Sequence, residues 1–264
     1  MCAWRALPLR FTAREHGLLA LQGAFLYGVS YVCVYRAEQH VVSGLVAVGY
    51  SASPLAAGLG ARLLFGTQLT ARFILGGTLG LAGVALIFWP EFGKAAGQSG
   101  AALGALFTLA AVLLSTVGSL TASRNRENGL PFWPALGYGM LYGAAISAAF
   151  ALAQGQSFAL PSAASWWLSL LYLVLAGSVL AFACFLTLQQ HIGVGPAGTV
   201  GVMTPLLALV VSMAFERFRL DALTFVGAAL ALAGNVLMLT GRPAPAGAAP
   251  PAPPRARGSP RCGR

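Results

Sequence analysis

Charged residues are scarce in this chain. Only 8% of its 264 residues are Asp, Glu, Lys or Arg, whereas 58% are hydrophobic. A soluble domain carries about 25% charged residues, so this chain has too few to cover its own surface with polar side chains. The composition therefore excludes an ordinary water-soluble protein and predicts that lipid surrounds most of the fold.

Motifs typical of membrane enzymes and metal sites are also missing. The sequence contains no H-E-x-x-H, D-D-x-x-D or G-x-S-x-G pattern. Its four cysteines show no regular spacing, and Cys33 and Cys184 fall inside apolar segments, where a thiol usually acts as a small apolar filler. We therefore expect no enzymatic activity, no metal and no cofactor.

Apolar segments, in contrast, are abundant and long. A helix needs about 20 apolar residues to cross the hydrocarbon core of a bilayer. Eight such windows lie near residues 17–35, 42–65, 71–89, 101–122, 134–153, 166–188, 196–215 and 222–240. The backbone must satisfy its hydrogen bonds within each segment, and the ten-residue alternation of a β-barrel is missing. The sequence thus predicts an all-α membrane protein, a polytopic helical bundle.

Basic residues are distributed unevenly between the two sides of the predicted bundle. If the N-terminus is cytoplasmic, 12 of the 16 Lys and Arg residues fall in cytoplasmic segments and four in outer ones. This is the positive-inside pattern, so the net charge of +10 indicates topology and not nucleic-acid binding. We predict an inner (plasma) membrane location with both termini cytoplasmic, including a segment at 1–16 and a disordered Pro/Ala/Arg-rich tail at 241–264.

An internal repeat relates two parts of the chain. Residues 39–89 align with 190–240 at a constant offset of 151, with 14 identities in 51 positions. Five helices separate equivalent positions, and an odd number reverses the direction in which a helix crosses the bilayer. The copies should therefore be inverted relative to each other, an architecture common in secondary transporters.

The repeated motif resembles that of the drug/metabolite transporter superfamily, in its EamA-like branch. Each copy has a central Ser/Thr-Pro (Ser53-Pro54 and Thr204-Pro205), a short turn and a Gly-x5-Ala-Gly helix. The acidic residue that ends the first of these helices in the family is Glu216 in the second copy, but Phe65 replaces it in the first.

The resemblance implies ten helices in two inverted five-helix repeats, of which this chain shows eight. Residues 17–89 would then be an incomplete first repeat of three helices, and residues 101–240 a second repeat of five. The offset indicates that about 50 residues of this architecture would precede Met1. A genuine eight-helix protein is the alternative.

Polar groups near mid-membrane are candidates for a solute cavity. A proline removes an N–H and frees a carbonyl one turn earlier, and buried tyrosines need a partner for the hydroxyl. The candidate cavity residues are Tyr27, Tyr31, Tyr50, Ser53, Pro54, Tyr138, Tyr142, Thr204 and Pro205. The competing interpretation is that the prolines are packing kinks and that the tyrosines face lipid or other helices. No carboxylate lies deep in the membrane, so a buried-acid proton relay has no support.

These observations predict a carrier that moves a small organic solute by alternating access between inverted repeats, with export inferred from the family. A lipid or lipid-linked flippase component and a truncated, non-functional fragment are the alternatives. The expected partners are a small-molecule substrate and the lipid bilayer, and no nucleic acid is expected. A homodimer is possible on the sequence alone.

Overall fold

The computed structural model describes residues 9–95, 100–156, 161–215 and 222–240, and these residues form helices without any strand. The main helices are α1 (Ala13–Glu38), α2 (Ser43–Phe65), α3 (Ala71–Ile87), α4 (Ala101–Glu127), α5 (Phe132–Ala153), α6 (Ala164–Ile192), α7 (Val194–Ala197 with Val200–Phe215) and α8 (Ala222–Thr240). They coincide with the eight predicted windows, and all except α3 and α7 are long and apolar enough to cross a membrane. The prediction of an all-α polytopic membrane protein is confirmed.

Parts of the prediction fall outside the described residues. These parts are Glu216, the first half of the segment 1–16 and the tail 241–264. The division of the chain into two repeats at 17–89 and 101–240 stays a prediction.

Helices α3 and α8 are repeat counterparts, and they pack against each other through glycines. A Cβ atom built on Gly83 would lie 2.6 Å from the carbonyl oxygen of Gly227, and one built on Gly76 would lie 2.6 Å from that of Gly234. Adding the offset of 151 to Gly76 and Gly83 gives Gly227 and Gly234, so the repeat maps each of these two contacts onto the other. Positions 76 and 83 meet 234 and 227 in reverse order, so the helices are antiparallel, as two inverted copies require.

Helices α1 and α6 would be counterparts under the predicted repeat, and they share a local feature. Each of these helices contains a π-helical turn, at Ala24–Gly28 in α1 and at Leu173–Leu180 in α6. The offset of 151 carries the first turn to positions 175–179, inside the second. A π-helical turn in the same place in both copies is a local distortion of the kind that often marks functional positions.

The two counterparts differ in how they are packed. Helix α1 packs closely on α4 and α5, because Gly118 and Gly143 allow its backbone to approach. In α6 no residue between Ala164 and Leu180 is buried. Among the described residues, α6 contacts the bundle through its second half, where Ala183, Leu186 and Gln189 are buried.

We call the end of the bundle that contains the Phe65–Ala71 and Glu127–Phe132 turns the basic end, because Arg62, Arg72 and Arg126 lie beside these turns. The opposite end contains Glu38 and is called the Glu38 end.

Candidate solute cavity

A cavity of about 470 Å³ lies at the centre of the bundle, between α1, α2, α4, α6 and α7. Sites for small molecules have volumes of about 300–1,000 Å³, so this cavity can hold a metabolite-sized molecule. Its walls combine aromatic rings with hydroxyl groups in an otherwise aliphatic surface. Both halves of the chain contribute to it.

Five of the nine residues predicted from the sequence line this cavity. They are Tyr31, Tyr50, Ser53, Thr204 and Pro205. The other four, Tyr27, Pro54, Tyr138 and Tyr142, lie elsewhere.

Helix α2 is interrupted beside the cavity, as its proline predicts. The helix stops at Tyr50 and resumes at Ser53, with Pro54 in its first turn. Pro54 has no N–H for the carbonyl of Tyr50, and the Ser53 hydroxyl donates to that carbonyl instead. The hydroxyl therefore satisfies the group that the proline leaves free.

Helix α7 crosses α2 at this interruption, and the contact is a backbone contact. A Cβ atom on Gly201 would lie 2.7 Å from the carbonyl oxygen of Tyr50, and one on Gly198 would lie 2.9 Å from the Cα of Pro54. Pro54 is fully buried in this crossing. Pro54 therefore does not line this cavity, because the close approach of α7 covers it.

The second repeated proline does line the cavity. Pro205 lies inside α7, where it leaves the carbonyl of Gly201 without its helical donor. Thr204 is next to it on the wall, and its hydroxyl donates to the carbonyl of Val200 at 2.8 Å. The equivalent prolines thus have different surroundings.

Three predicted tyrosines belong to other contacts. Tyr27 is buried and packs edge-on against Phe182, with 4.7 Å between ring centroids. Tyr142 forms a hydrogen bond with Nδ1 of His16 at 2.8 Å, and the Tyr138 hydroxyl donates to the carbonyl of Leu9 at 3.0 Å. Tyr138 and Tyr142 therefore join α5 to the start of α1, near the basic end, and do not line the cavity.

Several lining residues were missed by sequence reasoning. Helix α4 contributes Ser115 and Ser119, which are four residues apart and so share a helix face. Helix α6 contributes Phe182 and Phe185, and Glu38 lies on the wall at the end of α1. The pair of serines in an apolar helix was a detectable signal, whereas nothing in the sequence connects the phenylalanines with a cavity.

The profile of the EamA-like transporter family matches residues 102–240. The match covers more than half of the chain, which therefore belongs to this family, and the predicted resemblance is confirmed. It is a family of transporters, which together with the helices identifies a multi-pass membrane protein.

The fold also occurs in solved structures. A crystal structure titled only as that of a protein superposes with a TM-score of 0.71 at 20% sequence identity, over 89% of this chain and 79% of that chain. At this identity the similarity shows the fold alone. No curated protein matches the sequence.

Proposed function

We propose that this protein carries a small organic solute across the membrane through the central cavity, by alternating access between its inverted repeats. The observation that carries the proposal is the position of the cavity. It lies where the interrupted helix α2 crosses its repeat counterpart α7. The hydroxyls of the equivalent residues Ser53 and Thr204 line it, as does Pro205. Broken helices that meet at a central site are the usual way in which inverted-repeat carriers bind their solute.

The charge of the cavity wall narrows the class of solute. Among the residues that the structure describes, Glu38 is the single charged one that lines the cavity, and no Lys, Arg or His lines it. An anion in an apolar cavity without a positive partner loses its hydration without compensation. A neutral or cationic solute avoids this cost, and Tyr31, Phe182 and Phe185 offer aromatic faces to it.

We assign the basic end to the cytoplasm of the inner membrane, because the distribution of Arg and Lys follows the positive-inside rule. The outward direction of transport rests on analogy with the family. A lipid flippase is the second candidate, and no described contact favours it.

Reconstitution into proteoliposomes tests the proposal. A panel of radiolabelled neutral, cationic and anionic metabolites would be screened for uptake faster than into empty liposomes. Tyr31→Ala should reduce the uptake of any solute found, because Tyr31 lines the cavity. Tyr35→Ala is the matched control, since Tyr35 is on the same helix, is 63% exposed and does not line the cavity.

Two results would contradict the proposal. The first is equal uptake by protein-containing and empty liposomes for the whole panel, and the second is equal loss in the two tyrosine variants. Movement of a fluorescent phospholipid between leaflets, without uptake of a soluble solute, would favour the flippase.

A further inference from the structure

Two cavities approach each other at the basic end of the bundle. The central cavity extends to Ser119 and Val194. A second cavity of about 520 Å³ begins at Gln189 and Val194 and reaches the exposed turn residue Thr67. Val194 lines both cavities and is only 5% exposed, so the wall between them is thin and closed.

A hydrogen-bonded pair closes this wall. The Ser119 hydroxyl donates to Oε1 of Gln189, and Nε2 of Gln189 donates to the backbone carbonyl of Ser119 at 2.8 Å. Both side chains are buried. The pair joins α4 to α6, and neither hydrogen bond can persist if these helices separate at this level.

The internal repeat supplies a comparison for Gln189. Subtracting the offset of 151 from Gln189 gives Glu38, which lines the other end of the central cavity. Glu38 is exposed, and its side chain forms no hydrogen bond or ion pair within the described parts of the chain. The two equivalent positions therefore differ, since one is buried and bonded while the other is open to solvent. Alternating access requires such a difference between the two ends in any single state.

We propose that Ser119 and Gln189 form the gate that closes the central cavity at its basic end. This inference rests on the proposed transport through that cavity. In the alternate state α4 separates from α6 at this level, both hydrogen bonds break, and the two cavities join into one path from the basic end.

Cysteine accessibility measures the state of this gate whether or not a solute moves. In the full chain without its native cysteines, Ser115→Cys places a thiol on the wall of the central cavity. A membrane-impermeant methanethiosulfonate is then added to sealed vesicles of known orientation. With Gln189 present, the thiol should react slowly from the basic end.

Gln189→Leu should speed that reaction about tenfold. This factor corresponds to about 1.4 kcal/mol, which is within the contribution of two buried hydrogen bonds. Gln190→Leu is the matched control, because Gln190 is the next residue, is exposed, and its side chain has no hydrogen bond among the described residues. The control should react like the parent.

Gln189→Glu provides a second readout that a merely structural role would not produce. A protonated carboxyl can accept from the Ser119 hydroxyl and donate to its carbonyl, as the amide does, whereas a carboxylate can only accept. The gate of this variant should close at low pH and open at high pH. The rate at which the Ser115→Cys thiol reacts is expressed at each pH relative to its rate with Gln189 present. Within the described parts of the chain, the charged or titratable side chains that face this point are Arg126 and Glu127 on α4 and His191 on α6, all exposed. The residues of α2 and α7 that line the second cavity there are uncharged.

The proposal is overturned if Gln189→Leu and Gln189→Glu react from the basic end like Gln190→Leu at every pH. If both variants open as expected while no solute is transported by the parent, the gate is supported and the transport proposal fails. The two proposals can therefore fail separately.

Discussion

The glycine contacts between α3 and α8 allow a quantitative test of the repeat. A methyl group at position 83 would lie 2.4 Å from the backbone nitrogen of Ala231 and 2.6 Å from the carbonyl oxygen of Gly227. Backbone atoms cannot rotate out of the way, so Gly83→Ala must push the helices apart. Overpacking of this kind costs about 1–3 kcal/mol. Gly234→Ala should cost a similar amount, because the offset of 151 makes it the counterpart of Gly83.

The expected cost can be measured as a shift in the thermal midpoint of the detergent-purified protein. For chains of this size about 1 kcal/mol corresponds to 2–4 °C, so each variant should unfold about 2–12 °C below the parent. Gly137→Ala is the matched control. Gly137 lies in α5 with nothing within 4 Å of its Cβ position, and alanine is favoured over glycine in a helix by about 1 kcal/mol. Its midpoint should stay level or rise.

Unfolding of Gly83→Ala and Gly234→Ala at or above the temperature of Gly137→Ala would refute the close backbone packing of α3 on α8. A large effect at only one of the two counterpart positions would also refute the symmetric packing of the two copies. The measurement is loss of the monodisperse gel-filtration peak after heating, which requires no knowledge of the solute.

Three other substitutions probe separate parts of the structure. Asn125→Leu removes the donor to Oε1 of buried Gln22, 2.8 Å away, so the protein should lose about 1–3 kcal/mol of stability. Adding Gln22→Leu should recover part of that loss, and a deeper loss in the double variant would contradict the pairing. Pro205→Ala returns a donor to the carbonyl of Gly201 and should slow solute uptake without lowering the thermal midpoint, whereas unchanged uptake would count against the kink. Glu38→Gln removes the charge of the cavity wall, so inhibition of uptake by benzyltrimethylammonium should weaken relative to inhibition by the anion benzenesulfonate; an unchanged ratio would contradict the argument from charge.

The helices and the repeat were predictable because lipid imposes simple rules on the sequence. A span must be long, apolar and internally hydrogen-bonded, and these demands leave a continuous signal such as that of residues 101–122. The inverted packing followed from counting helices between equivalent positions. Both rules use only the order and composition of segments along the chain, and neither needs knowledge of which helices are neighbours.

The cavity was only half predictable, because helical spacing shows which residues share a face but not what that face contacts. Tyr27 and Tyr31 are four residues apart, yet only Tyr31 lines the cavity. Tyr27 lies inside the π-helical turn at Ala24–Gly28 and Tyr31 lies beyond it, so the turn changes the angular relation that a regular α-helix would give. Pro54 was displaced from the wall by a backbone approach at Gly198 that no single-helix pattern reveals.

The gate pair was invisible to sequence reasoning for a related reason. Gln189 directly precedes the repeated Gln190-His191, and a helix-end glutamine is ordinarily an exposed residue. Its burial follows from contact with Ser119 on a helix 70 positions away in the chain. Only the tertiary structure brings the two together.

The central claim is that the two copies cross the membrane in opposite directions, and the sidedness of counterpart residues tests it most directly. Gln39 and Gln190 are repeat equivalents, and both are exposed at helix ends. In a cysteine-free background, Gln39→Cys and Gln190→Cys would be labelled in intact cells with an impermeant maleimide. If the copies are inverted, Gln39→Cys is labelled from outside the cell and Gln190→Cys is labelled only after the membrane is permeabilised. Labelling of both from the same side would contradict it.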